Sequence, residues 1–101
     1  MAEFKLGKAS DVTAGKGKLF TVNGKKLAVF KVGGKFYCIS GLCTHVGGPL
    51  WDGILEKNIV TCPWHGGQFD VTTGKCLRGP PKQDETSYKI IEKNGELFVD
   101  L

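Results

Sequence analysis

The side chains able to do chemistry fall into two short stretches, Leu42-Cys43-Thr44-His45-Val46-Gly47-Gly48-Pro49 and Thr61-Cys62-Pro63-Trp64-His65-Gly66-Gly67. Each supplies one cysteine and one histidine, first as Cys-x-His and then, after sixteen intervening residues, as Cys-x-x-His. Both histidines of the chain belong to this set. A lone histidine is usually a hydrogen-bonded residue of intermediate burial, a reading that fails when every His follows a Cys within three positions. A cysteine nucleophile with a histidine base needs one such pair. Here the pair occurs twice, and no third residue announces itself as the one that orients the base. The set is therefore read as Cys43, His45, Cys62 and His65 converging on metal, two thiolates and two imidazoles from two loops.

Two metal chemistries suit four such ligands. A single tetrahedral zinc ion would make the chain a zinc-stabilised binding module, although zinc knuckles ordinarily keep like ligands together. A binuclear iron-sulfur centre in which two His replace two Cys on one iron requires the mixing found here. A loop that reaches both irons must offer a Cys to one and, a residue or two further on, a His to its neighbour.

Cys43-Thr44-His45 ahead of a Gly-containing loop, and Cys62-Pro63-Trp64-His65-Gly66 ahead of Phe69-Asp70, resemble the two-box signature of Rieske [2Fe-2S] proteins. The chain length resembles that of the small soluble Rieske ferredoxins. The resemblance implies an all-β, Rieske-like fold of antiparallel sheets, one domain over 1–101, with a two-loop cluster-binding subdomain at about 41–82 inserted between N- and C-terminal strands. It implies one [2Fe-2S] cluster per chain, with Cys43 and Cys62 on the inner iron and His45 and His65 on the outer one. Gly79-Pro80-Pro81 resembles the proline loop that covers the cluster. The function so implied is that of a one-electron carrier without a substrate of its own, fed by a reductase and discharging to an acceptor such as an oxygenase.

Departures from the family pattern carry information too. Respiratory-complex relatives have a disulfide between the loops at the positions of Gly48 and Trp64, and hydroxyl donors to sulfur at the positions of Gly67 and Phe69. Donors to sulfur stabilise the more negative, reduced cluster. Their loss places the expected potential near the bottom of the Rieske range of about −150 to +300 mV.

Strands must position these loops. Residues 18–22 and 25–32 flank Asn23-Gly24, and 88–92 and 96–99 flank Asn94-Gly95, each a hairpin with the positive-φ pair that a type I′ turn demands. Gly33-Gly34 marks the turn into a third strand at 35–40, and shorter strands are expected at 59–61, 68–70 and 75–77. Gly47, Gly48, Gly66 and Gly67 are expected to let backbone N–H groups approach the sulfurs. Cys38 and Cys76 lie in strand-like segments and read as small buried hydrophobes.

The 101 residues bound the rest. They suffice for one small core. The longest purely apolar run, 27–30, is far short of the ~20 residues a membrane helix needs, and the charged start argues against a secretory signal, so a cytoplasmic monomer is expected. Thirteen of fourteen basic residues are lysines, and 1–37 hold eight of them against Glu3 and Asp11. Lysines alternating with apolar residues read as a solvated strand face, not a nucleic-acid surface, though they could steer an acidic protein partner. No nucleotide fingerprint, paired-carboxylate site or mononuclear iron triad is present, which excludes the commoner enzyme classes. Val46, Leu50 and Trp64 are the expected apolar docking face beside the cluster.

Overall fold

Ten strands make up about half of the chain in a computed structural model that describes residues 2–44, 47–64, 66–79 and 83–101. They are β1 (Glu3–Lys8), β2 (Lys18–Val22), β3 (Lys25–Val32), β4 (Lys35–Ser40), β5 (Ile54–Glu56), β6 (Ile59–Thr61), β7 (Gln68–Asp70), β8 (Cys76–Arg78), β9 (Ser87–Lys93) and β10 (Glu96–Asp100). All pairings are antiparallel, and they build a six-stranded sheet ordered β1-β10-β9-β4-β3-β2 and a four-stranded sheet ordered β5-β6-β7-β8. The all-β, two-sheet expectation holds. Asn23 and Asn94 have φ of 50° and 52°, and the glycines that follow 76° and 78°, so both tight hairpins form as their sequences demand. Strands β1 and β5 were not foreseen. The first pairs with β10 at the far end of the chain, and the second is only three residues long, so neither leaves a local signature.

The apolar run 27–30 is explained by β3 lying between two cores. Successive side chains of a strand point to opposite faces. Leu27 and Val29 join Val12, Cys38, Leu97 and Val99 in a core on one face of the large sheet. Ala28 and Phe30 join Ile39, Leu50, Leu55, Val60, Phe69, Val71, Cys43 and Cys62 in a second core between the two sheets. β4 is divided in the same way, with Cys38 facing one core and Ile39 the other. Phe30 and Phe69 are fully buried in the shared core, each stabilising the fold by about 2–3 kcal/mol relative to an exposed ring. Both cysteines of the two loops thus sit in the apolar layer that joins the sheets. No helix among the described residues is long and apolar enough to cross a membrane.

Candidate metal centre

The two loops have the same construction. The second is the six-residue connection 62–67 of the hairpin β6–β7, closed by the pair Thr61↔Gln68, whose side chains also hydrogen-bond at 3.1 Å. The first, 43–48, is closed by an isolated antiparallel bridge between Leu42 and Pro49. In each, the Cys N–H donates to the carbonyl five residues on, Cys43 to Gly48 at 2.8 Å and Cys62 to Gly67 at 2.7 Å. In each, the Cys carbonyl accepts from the Gly four residues on, Gly47 at 2.9 Å and Gly66 at 3.1 Å. Gly47 and Gly66 have φ of 77° and 75°, a conformation that only glycine adopts without cost. The N–H groups of Gly47 and Gly66 close their own loops, so what these two glycines provide is backbone freedom.

Cys43 and Cys62 are both buried, and their side chains hydrogen-bond to each other. Burial pushes the Cys62 thiol upward, the Trp64 N–H pulls it back, and negative charge at Cys43 and then Glu85 adds to the rise. A thiol so placed as Cys62 is poorly suited to ionise unless a cation compensates it. Gly48 completes the cradle: a Cβ there would lie 2.6 Å from Cys62 Sγ and 3.3 Å from the Trp64 ring. The sequence positions 48 and 64 therefore face each other across the loops. Soft donors, close apposition and a side-chain-free wall fit an iron-sulfur group at this site.

His45 and His65, with Val46 and the Pro80-Pro81 of the expected covering loop, lie outside the described residues. Gly79 is exposed. Of the expected docking residues, Trp64 is half-exposed, whereas Leu50 is completely buried and does not belong to that face. Its N–H donates to the Gly41 carbonyl at 2.8 Å, and the 3-10 turn Leu50–Asp52 carries the side chain into the shared core. Leu42, 40% exposed, is the apolar residue that the first loop presents to solvent instead. Cys38 is a buried hydrophobe as expected, its thiol pushed by burial to about 12. Cys76 is only partly buried, packs on the other core, and places its sulfur 3.7 Å from the Arg78 carbonyl.

Sequence reasoning missed Glu85. Its carboxylate is buried and accepts the Thr44 N–H at 2.8 Å, between the two ligand positions of the first loop. Nothing in the run Gln83-Asp84-Glu85-Thr86 distinguishes it from ordinary polar loop residues.

A family model for the Rieske [2Fe-2S] domain matches residues 2–91. The chain is 40% identical over 92 residues, 91% of its length and 88% of the relative's, to the naphthalene 1,2-dioxygenase system ferredoxin component of Pseudomonas putida. Among solved structures it matches the ferredoxin of carbazole 1,9a-dioxygenase from Nocardioides aromaticivorans with a TM-score of 0.92 at 27% identity, covering 98% of this chain and 97% of that one. A chain in a complex of reduced oxygenase and oxidised ferredoxin in carbazole 1,9a-dioxygenase matches with a TM-score of 0.89 at 34% identity, over 96% and 91% of the two chains. These likenesses set the zinc-module alternative aside. With its paired loops, buried thiols and two-sheet frame, the chain belongs to the Rieske [2Fe-2S] domain family, and its cofactor is a Rieske-type [2Fe-2S] cluster.

Proposed function

We propose that this protein is the ferredoxin of an oxygenase system, a cytoplasmic carrier that takes single electrons from a reductase and delivers them to an oxygenase of the ring-hydroxylating kind. Cys43 and Cys62 hold one iron and His45 and His65 the other. When bound, the cluster accepts and releases one electron. The chain supplies the rest: two matched loops that fix the ligands, an apolar layer that excludes water from the thiolates, and a half-exposed rim at Leu42 and Trp64. The observation that carries the reading is the apposition of Cys43 and Cys62 at the ends of two equivalent six-residue loops. The relatives named above are ferredoxin components, and the match covers nearly their whole length, which supports the role of a carrier. The whole chain acts as one domain, because the core around Cys43 and Cys62 is shared by both sheets.

The test is a count of iron and acid-labile sulfide in anaerobically purified protein, with electron paramagnetic resonance before and after dithionite. Two irons and two sulfides per chain, with a Rieske signal only after reduction, are expected. Cys43→Ser, His45→Ala, Cys62→Ser and His65→Ala should each abolish that signal, and the reduced wild type should be reoxidised by such an oxygenase. One divalent ion and no signal would overturn the reading.

A further inference from the structure

Glu85 is the only charged side chain buried among the described residues, 5% exposed, and its hydrogen bonds go to the first loop and to the turn before β8. Its Oε2 accepts the Thr44 N–H at 2.8 Å, so the backbone between Cys43 and position 45 hangs on this carboxylate. Its own N–H donates to the Gly74 carbonyl at 2.7 Å. The adjoining residues are tied down equally: the Gln83 carbonyl accepts the Thr44 hydroxyl at 2.8 Å, Asp84 Oδ1 accepts the Cys76 N–H at 2.8 Å, and the Thr86 carbonyl accepts the Ser40 N–H at 2.9 Å. The segment 83–86 is therefore a strut joining the first loop, the β7–β8 turn and the end of β4. A neutral residue could satisfy one loop N–H. A buried ionisable one is costly unless its charge has a use.

We propose that Glu85 is a positioning residue that both clamps the first loop and keeps the cluster's reduction potential low. The inference rests on Cys43 and Cys62 as the thiolate ligands. Reduction adds one negative charge to a site that already holds two thiolates. A buried carboxylate on the residue next to Cys43 opposes that charge more than one in water would. The carboxylate is held on the N–H of Thr44, the residue that follows Cys43. By accepting the Thr44 N–H, the carboxylate also takes up a donor that could otherwise turn toward the sulfurs, and donors to sulfur raise the potential. Both effects have the same sign. Among the described residues, the titratable group that interacts with it from the loops is Cys62, with Asp84 beside it on its own segment.

The experiment is protein-film voltammetry of cluster-loaded Glu85→Gln, Glu85→Met and Glu85→Asp in mildly alkaline buffer, with iron and sulfide counts on each. Gln keeps the shape and an acceptor for Thr44 but removes the charge, Met removes both, and Asp keeps the charge. The expected result is a higher potential in the Gln and Met variants, larger for Met, with Asp close to the wild type. A fully loaded Gln variant at the wild-type potential overturns the proposal. If Gln fails to load and Met loads, the same rise is required of Met. Failure of both to load also overturns it, by making the carboxylate a folding requirement and not a tuner. A wild type without two irons would instead sink the ferredoxin reading itself, which separates the two failures.

Discussion

Gly74 and Glu85 are packed backbone to backbone: the Gly74 carbonyl accepts the Glu85 N–H at 2.7 Å, while the Glu85 carbonyl stands where a Cβ on residue 74 would be. Gly74 also has a φ of 84°, which side chains rarely adopt. Both constraints bind at once, so Gly74→Ala must open the contact that anchors the strut under the first loop. The expected cost is at least about 3 kcal/mol, from overlap with backbone added to left-handed strain. Thermal unfolding of the loaded protein checks this, and a loss below about 1 kcal/mol would show that the strut can shift freely.

A second prediction concerns the sulfurs. Phe69 is completely buried in the same apolar layer as Cys43 and Cys62, and Gly67 ends the second loop by accepting the Cys62 N–H. Hydroxyls introduced by Gly67→Ser and Phe69→Tyr would be buried beside the cluster and must find an acceptor there. A hydrogen bond to a charged sulfur that is about 1–2 kcal/mol stronger in the reduced state corresponds to a rise of roughly 40–90 mV for a one-electron couple. Voltammetry of the double variant with no rise would refute this account of the tuning.

The pH dependence of stability follows from Glu85. Burial raises its carboxyl from 4.5 to about 7, against the pull of the Thr44 N–H. The folded state therefore holds the proton more tightly than the unfolded chain. Below pH 4.5 both states are protonated and no penalty exists; as pH rises to about 7, the unfolded chain releases its proton first and stability falls. Above that window the full penalty is about 1–3 kcal/mol, allowing for partial screening. Glu85→Gln should consequently match the wild type in acid and melt ~4 °C or more above it in alkali. An equal melting difference across the whole pH range would contradict the origin assigned to it.

The parts of the fold legible in the sequence are those whose cause is local. Asn23-Gly24 and Asn94-Gly95 dictate hairpins because two consecutive positive-φ residues admit little else, and both form. The Cys-x-His and Cys-x-x-His boxes announce a metal because the ligand types are rare and close together. Leu50 misled because its direction depends on the Leu42–Pro49 bridge and the turn after it, which depend in turn on where Gly41 lies. Glu85 was invisible for a similar reason. Its partner is 41 residues away, and a buried carboxylate has the same letter as a solvated one. The run 27–30 was visible as apolar, but only the second core explains why all four residues are buried and not every other one.

The last prediction separates Cys38 from the two loop cysteines. Cys38 is 1% exposed and burial pushes its thiol up to about 12, so the reactive thiolate is scarce there at pH 8. Iodoacetamide should leave Cys38 unlabelled in the folded, loaded protein and label it after denaturation. Cys38→Val, close in volume, should cost less than about 1.5 kcal/mol and leave the reduced paramagnetic signal intact. Cys38→Ser buries a hydroxyl in the core around Leu27 and Val99 and should cost about 1–3 kcal/mol, again with the signal unchanged. Cys43→Ser and Cys62→Ser should do the opposite, removing the signal through lost ligation. Rapid alkylation of Cys38 in the loaded protein, or loss of the signal in Cys38→Val, would mean that the two cores are not independent and that the layer of β3 and β4 between them opens during function.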